Sequence, residues 1–234
     1  MNTYFCMDEI KGVVMRIEEN LKKITKELPD SVKLVAVSKT HPPEVIMEAY
    51  DAGHRIFGES KAQEMIPKQE KLPGDIQWHM VGHLQSNKVK YIAPFVALIH
   101  SVDSLKLLKV INKEGKKNNR KIPCLLQIHI AKESSKFGLS YDACRELLES
   151  EAFLKMEHVA IRGLMGMATF TDDHQQVREE FRTLKTHFDE IKKRYFSDQN
   201  DFREISMGMS DDYLIGIEEC STMVRIGSAI FGNR

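Results

Sequence analysis

The sequence predicts a (β/α)8 barrel with one extra N-terminal helix and no second β-domain. Three observations lead there. Eight short apolar, strand-like segments alternate with helical segments along the chain, the order of an all-parallel sheet. The first of them, Val32 to Val37, is an almost unbroken apolar run, as expected of a strand covered on both faces. The residues with chemistry gather just after the strands, where barrels of this kind build their sites. No linker or composition shift divides the 234 residues, so residues 1–234 are expected to form one domain. The alternative is an open doubly wound sheet. That fold usually carries a Gly-rich phosphate turn after its first strand, and Ser38-Lys39-Thr40-His41 has no glycine.

Each element has its own justification. Ile10, Val13, Val14, Ile17, Leu21 and Ile24 mark one face of a helix over about Met7 to Leu28, ended by Pro29-Asp30. The first strand then runs to Lys39, and Pro42-Pro43 opens a helix to Ala52, closed by Gly53. Arg55–Phe57 is a strand, followed by a helix to about Glu70. Gln77–Val81 is a strand, with a helix from about Ser86. Val96–His100 is a strand, with a helix over Ser104–Lys113 and a solvated basic loop over Lys113–Lys121. Pro123–Ile130 is a strand, with a helix over Tyr141–Glu149. His158–Met165 is a strand, with a long helix from about Asp173 to Phe196. Phe202–Ser206 is a strand, with a helix over Asp211–Glu219. Met223–Ile226 is the last strand, before Gly227 and a short terminal helix.

Composition narrows the function. Acidic and basic residues balance at 34 each, so no positive field invites nucleic acid. No apolar run approaches a membrane span, and Met1–Ile10 has no signal-peptide core. A cytoplasmic location is the default expectation. The cysteines, Cys6, Cys124, Cys144 and Cys220, are scattered singly and read as reduced thiols, with no disulfide or zinc framework. His79 and His83 are four apart, but Gly82 and the preceding apolar run place them on a strand and a turn, where they read as structural or loop histidines. His100 and His129 lie within strands and read as satisfied barrel residues.

The loops after strands seven and eight hold Ser206, Ser210, Gly208, Gly227 and Ser228. Each alone is ordinary turn chemistry. Together, on the strands where barrels often bind phosphate, they point to a phosphate site. Arg225 stands two residues before Gly227, a cation near whatever ring the phosphate belongs to. Lys39 ends the first strand. A lysine amine forms a Schiff base with an aldehyde once deprotonated, and burial favours that state. Lysine, phosphate site and arginine together suggest pyridoxal phosphate. A cation at the ring nitrogen would keep it unprotonated, a weaker electron sink than an acidic partner gives. A class I aldolase-like barrel, with its Schiff base on a substrate carbonyl, is a competing reading.

At this level the sequence closely resembles the pyridoxal-phosphate homeostasis proteins (the proline synthetase co-transcribed family). The resemblance runs over nearly the whole chain. It is carried by Leu34-Val35-Ala36-Val37-Ser38-Lys39-Thr40, Phe57-Gly58-Glu59, Trp78-His79-Met80-Val81-Gly82-His83-Leu84-Gln85-Ser86-Asn87-Lys88, Arg162-Gly163-Leu164-Met165, Ser206-Met207-Gly208-Met209-Ser210-Asp211-Asp212 and Ser221-Thr222-Met223-Val224-Arg225-Ile226-Gly227. It implies that Lys39 carries the cofactor as an internal aldimine and that Arg225 faces the pyridine nitrogen. Ser206 or Ser210, with Gly227 and Ser228, would hold the phosphate, and Ser60, Met80 and His83 would border the pocket. Ser60 stands where the family usually has asparagine, and Ser228 where it usually has threonine.

The fold is similar to the barrel of alanine racemase and the eukaryotic ornithine decarboxylases, which add a β-domain. In alanine racemase that domain supplies a tyrosine base across a dimer. The sequence ends at Arg234, after the eighth unit, so a second acid–base group is not expected. The expected function is a non-catalytic pyridoxal-phosphate carrier. It would take part in intracellular cofactor homeostasis as a monomer, with pyridoxal phosphate and cofactor-dependent apoenzymes as partners. A racemase or decarboxylase of the same barrel type is the alternative.

Overall fold

The computed structural model describes residues 17–132 and 137–232. Eight parallel strands close into a barrel in chain order. They are β1 (Lys33–Val37), β2 (Ile56–Glu59), β3 (Gln77–Met80), β4 (Leu98–Val102), β5 (Ile122–Gln127), β6 (Val159–Met165), β7 (Glu204–Ser206) and β8 (Met223–Ile226). Residues 17–27 form α1, the described part of the extra helix; its expected start before residue 17 lies outside the described residues. Ile17, Leu21 and Ile24 are buried, and Asn20 Nδ2 donates to the Ile230 carbonyl at 2.9 Å. α1 therefore binds the end of the chain to its beginning.

α2 (Pro43–Asp51) starts at the proline pair, with Pro42 extended at φ −73°, ψ 163°. Proline suits a first helical turn because its missing N–H has no intrahelical partner there anyway. α3 (Ala62–Lys71), α4 (Val89–Ile92), α5 (Leu105–Lys117), α6 (Tyr141–Glu149), α7 (Glu151–Leu154), α8 (His174–Tyr195), α9 (Tyr213–Glu218) and α10 (Ser228–Phe231) follow. Among the described residues, no helix is long and apolar enough to cross a membrane.

Strand alternation sorts the side chains into two layers. Ala36, Phe57, Trp78, Met80, Ile99, Leu126, Ile205 and Val224 pack in the large cluster between sheet and helices. Val35, Leu98, Leu125, Met165 and Met223 form a separate cluster inside the barrel. Gly163 lets β6 and β7 approach there. Its φ is +151°, and a β-carbon on it would lie 1.8 Å from the Glu204 carbonyl oxygen.

Several boundaries differ from the sequence reading, most of them by one or two residues. β4 begins at Leu98 and continues through Ser101 and Val102, which read as loop. Both are buried, and the Ser101 hydroxyl donates to the Gly82 carbonyl at 2.6 Å. α5 runs on to Lys117, absorbing half of the expected basic loop. β5 stops at Gln127, with Ile128 bridged only to Leu139.

Candidate functional site

A cavity of about 580 Å³ opens at the carboxyl end of the strands. Lys39, Ser60, His83, Ser210, Arg225, Gly227 and Ser228 all line it, among apolar residues Val37, Val81, Met167, Phe170 and Met209. Residues far apart in sequence meet here because each follows a strand of one closed barrel.

Lys39 is the only lysine on the cavity wall among the described residues. It is exposed. Its neighbours are fixed instead. Ser38 is buried, and its hydroxyl donates to Glu59 Oε1 at 2.7 Å. Lys68 Nζ reaches in from α3 to donate to the Ser38 carbonyl at 2.9 Å and to Glu59 Oε1 at 2.7 Å. On the other side Thr40 has φ +68°, uncommon for a side-chain-bearing residue, and donates its N–H to Glu64 Oε2 at 2.7 Å. A free lysine side chain thus rises from a clamped backbone. Burial holds the Glu59 carboxyl above the usual range, with Lys68 and Ser38 acting in the opposite direction.

Arg225 is 5% exposed. Nη1 donates to the Ser206 hydroxyl at 2.6 Å and its carbonyl at 2.8 Å, and Nη2 to the Gly166 carbonyl at 3.0 Å. Burial lowers its pKa to about 10, with Asp212 opposing, so it remains a cation at neutral pH. His100 Nδ1 lies 2.9 Å from the Ser206 hydroxyl, and His100 Nε2 lies 3.0 Å from His79 Nδ1. A guanidinium can only donate, so the Ser206 hydroxyl accepts from Arg225. Burial keeps both rings neutral, His79 down to about 3 and His100 well below its ordinary value. This chain of polar groups across the barrel interior backs the arginine.

Ser206 and Met80 stand elsewhere than the sequence reading put them. Ser206 is fully buried behind Arg225 and off the cavity wall. Met80 faces the helices in the outer core, because Val81, one residue on, takes the inward position. At the expected phosphate end, Ser210 Oγ accepts the Gly227 N–H at 3.3 Å, joining the loops after β7 and β8. A β-carbon on Gly227 would lie 3.0 Å from the Val37 carbonyl, so side-chain atoms there would crowd β1. Sequence reasoning passed over Gln127 and gave Phe137 no role; both line the cavity. Asp103, which the sequence places only within a candidate loop after the fourth strand, bonds His83 at 3.1 Å.

The donor set fits an aldehyde-bearing pyridine phosphate: one amine, one buried guanidinium, hydroxyls and backbone amides between them, and apolar walls. The comparisons bear on this. The profile of the alanine racemase N-terminal domain family matches residues 14–234. The chain is 36% identical over 228 residues to the pyridoxal phosphate homeostasis protein of Aquifex aeolicus, covering 97% of both chains. The chain belongs to the pyridoxal phosphate homeostasis protein family. The counterpart from Helicobacter pylori is 38% identical over 204 residues, 86% of this chain and 87% of that one. Among solved structures, PipY of Synechococcus elongatus with pyridoxal phosphate bound superposes with a TM-score of 0.83 at 35% identity, covering 92% of this chain and 100% of PipY. Alanine racemase of Clostridium difficile shares the fold, with a TM-score of 0.71 at 16% identity over 94% of this chain and 56% of the racemase.

Proposed function

We propose that this chain binds pyridoxal 5'-phosphate through Lys39 and takes part in its homeostasis as a carrier rather than a turnover enzyme. The observation that carries the reading is the meeting of Lys39 and Arg225 on one cavity wall that also bears Ser210, Gly227 and Ser228. The names of the family members and the cofactor in PipY support it. When bound, the cofactor supplies an aldehyde able to join an amine reversibly. Lys39 is the amine that meets it. Arg225 faces the ring nitrogen and, as a fixed cation, keeps a proton off it. Ser210, Gly227 and Ser228 hold the phosphate, drawing on two hydroxyls and the Gly227 amide. Ser206 acts through Arg225 and not on the phosphate. Ser60 and His83 border the ring.

An unprotonated ring draws electrons weakly, so this arrangement favours storing the cofactor over amino-acid chemistry. Apoenzymes that need the cofactor are the proposed recipients, and a monomer within the cytoplasm is the proposed form. The test is turnover. With the cofactor saturating, alanine, serine or ornithine should be racemised or decarboxylated far more slowly than about 1 per second, the low end of ordinary enzyme rates. Turnover at or above that rate would overturn the carrier reading.

A further inference from the structure

We propose that His83, held by Asp103, is the proton-transfer group that speeds both formation and hydrolysis of the covalent link at Lys39, and so sets how fast the cofactor is loaded and released. This rests on reading Lys39 as the anchor. The imidazole is positioned by two contacts, and the Gly82 backbone before it is held by its own packing. Its Nδ1 lies 3.1 Å from Asp103 Oδ2. Phe137 stacks on the ring, with centroids 4.7 Å apart and planes 21° apart. The preceding Gly82 carbonyl accepts the Ser101 hydroxyl at 2.6 Å. Gly82 itself packs so closely that a β-carbon would lie 2.4 Å from the Ser60 carbonyl oxygen. Asp103 is fixed in turn, its Oδ1 accepting the Ser104 hydroxyl at 3.2 Å, and Ser104 caps α5 through the Leu107 N–H at 3.3 Å.

A carboxylate only accepts, so Nδ1 carries a proton and Nε2 is the free basic nitrogen. Among the described residues Nε2 has no hydrogen-bond partner, and the His83 side chain, 45% exposed, lines the same cavity as Lys39. β1 and β3 are separated by β2 alone, which sets their ends about 10 Å apart. Lys39 and His83 line one cavity, and the proposal places a ring joined to Lys39 beside the imidazole.

The step balances without a redox partner. Loading forms a bond between Lys39 Nζ and the aldehyde carbon and expels the aldehyde oxygen as water. Both protons of the neutral amine end on that oxygen. His83 Nε2 takes a proton from the nitrogen and delivers one to the departing oxygen. Release is the reverse, with His83 drawing a proton from the attacking water and returning protons to Lys39 Nζ. His83 is the catalytic residue, and Asp103 positions it.

A proton shuttle lowers one barrier for both directions, so it changes rates and leaves affinity alone. The experiment mixes wild type, His83→Gln and Asp103→Asn with pyridoxal 5'-phosphate and follows the absorbance of the covalent link on loading and after jump dilution. Equilibrium titration gives Kd independently. For His83→Gln both rates should fall about 100-fold, well beyond any change in Kd, with loading partly rescued by added imidazole. Asp103→Asn should slow both rates together by a smaller factor. Equal rates in wild type and His83→Gln, or a weakened Kd with unchanged loading, would overturn the inference and leave Lys39 as the anchor. A wild type that forms no covalent link would overturn the anchor reading and this inference with it.

Discussion

Lys68→Met should cost about 3–5 kcal/mol of stability at neutral pH, the range for removing one partner of a buried ion pair. The side chains of Lys68 and Glu59 are 8% and 0% exposed. Lys68 is also a donor to the Ser38 carbonyl, and Glu59 Oε2 already has no partner among the described residues. Without the ammonium, only the Ser38 hydroxyl opposes burial and the Glu64 charge, and the carboxyl titrates higher still. The loss then depends on pH with a definite sign. A carboxyl whose folded pKa lies above its unfolded value destabilises the fold only when ionised. The deficit should therefore be full above the raised Glu59 pKa and shrink as pH falls through it towards the unfolded value. Urea melts at pH 8 and pH 5 check this, and adding Glu59→Gln should recover most of the loss at pH 8. A deficit independent of pH would contradict the assignment.

Arg225→Ala should weaken cofactor binding about 10- to 100-fold, the equivalent of one charge-assisted hydrogen bond of 1.5–3 kcal/mol. The absorption spectrum should shift as well, because the ring nitrogen would be free to take a proton. The guanidinium also satisfies the carbonyls of Ser206 and Gly166, so the variant should be less stable by about 1–3 kcal/mol for each carbonyl left dry. Titration and spectra belong at a temperature where circular dichroism shows native helix content. Unchanged affinity and spectrum would remove Arg225 from the ring.

The barrel was legible because a parallel strand covered on both faces reads as an apolar run, as in Leu34-Val35-Ala36-Val37 of β1. Where strand residues are polar the signal fails. Ser101 read as loop because its partner, the Gly82 carbonyl, belongs to another strand's loop. Lys39, Ser210, Gly227 and Ser228 were singled out by their place after strands and Arg225 by its place near the end of one, and all five line one cavity. Ser206 faces the barrel interior but sits one layer down, behind Arg225, whereas Met80 differs by direction. One step along a strand turns a side chain from the barrel mouth to the core, and sequence does not give that parity at a strand end. The Glu59–Lys68 pair joins β2 to the helix after it, and the His79–His100 and His83–Asp103 contacts join the neighbouring β3 and β4 and the loops after them. The His100–Ser206 contact crosses from β4 to β7, which only closure of the barrel brings together.

The central claim is that Lys39 holds the cofactor. The most direct measurement is borohydride reduction of the purified protein after addition of pyridoxal 5'-phosphate, followed by mass mapping of its peptides. The expected result is a single pyridoxyl-phosphate adduct on Lys39. An adduct found only on another lysine, or none at all, would contradict the account.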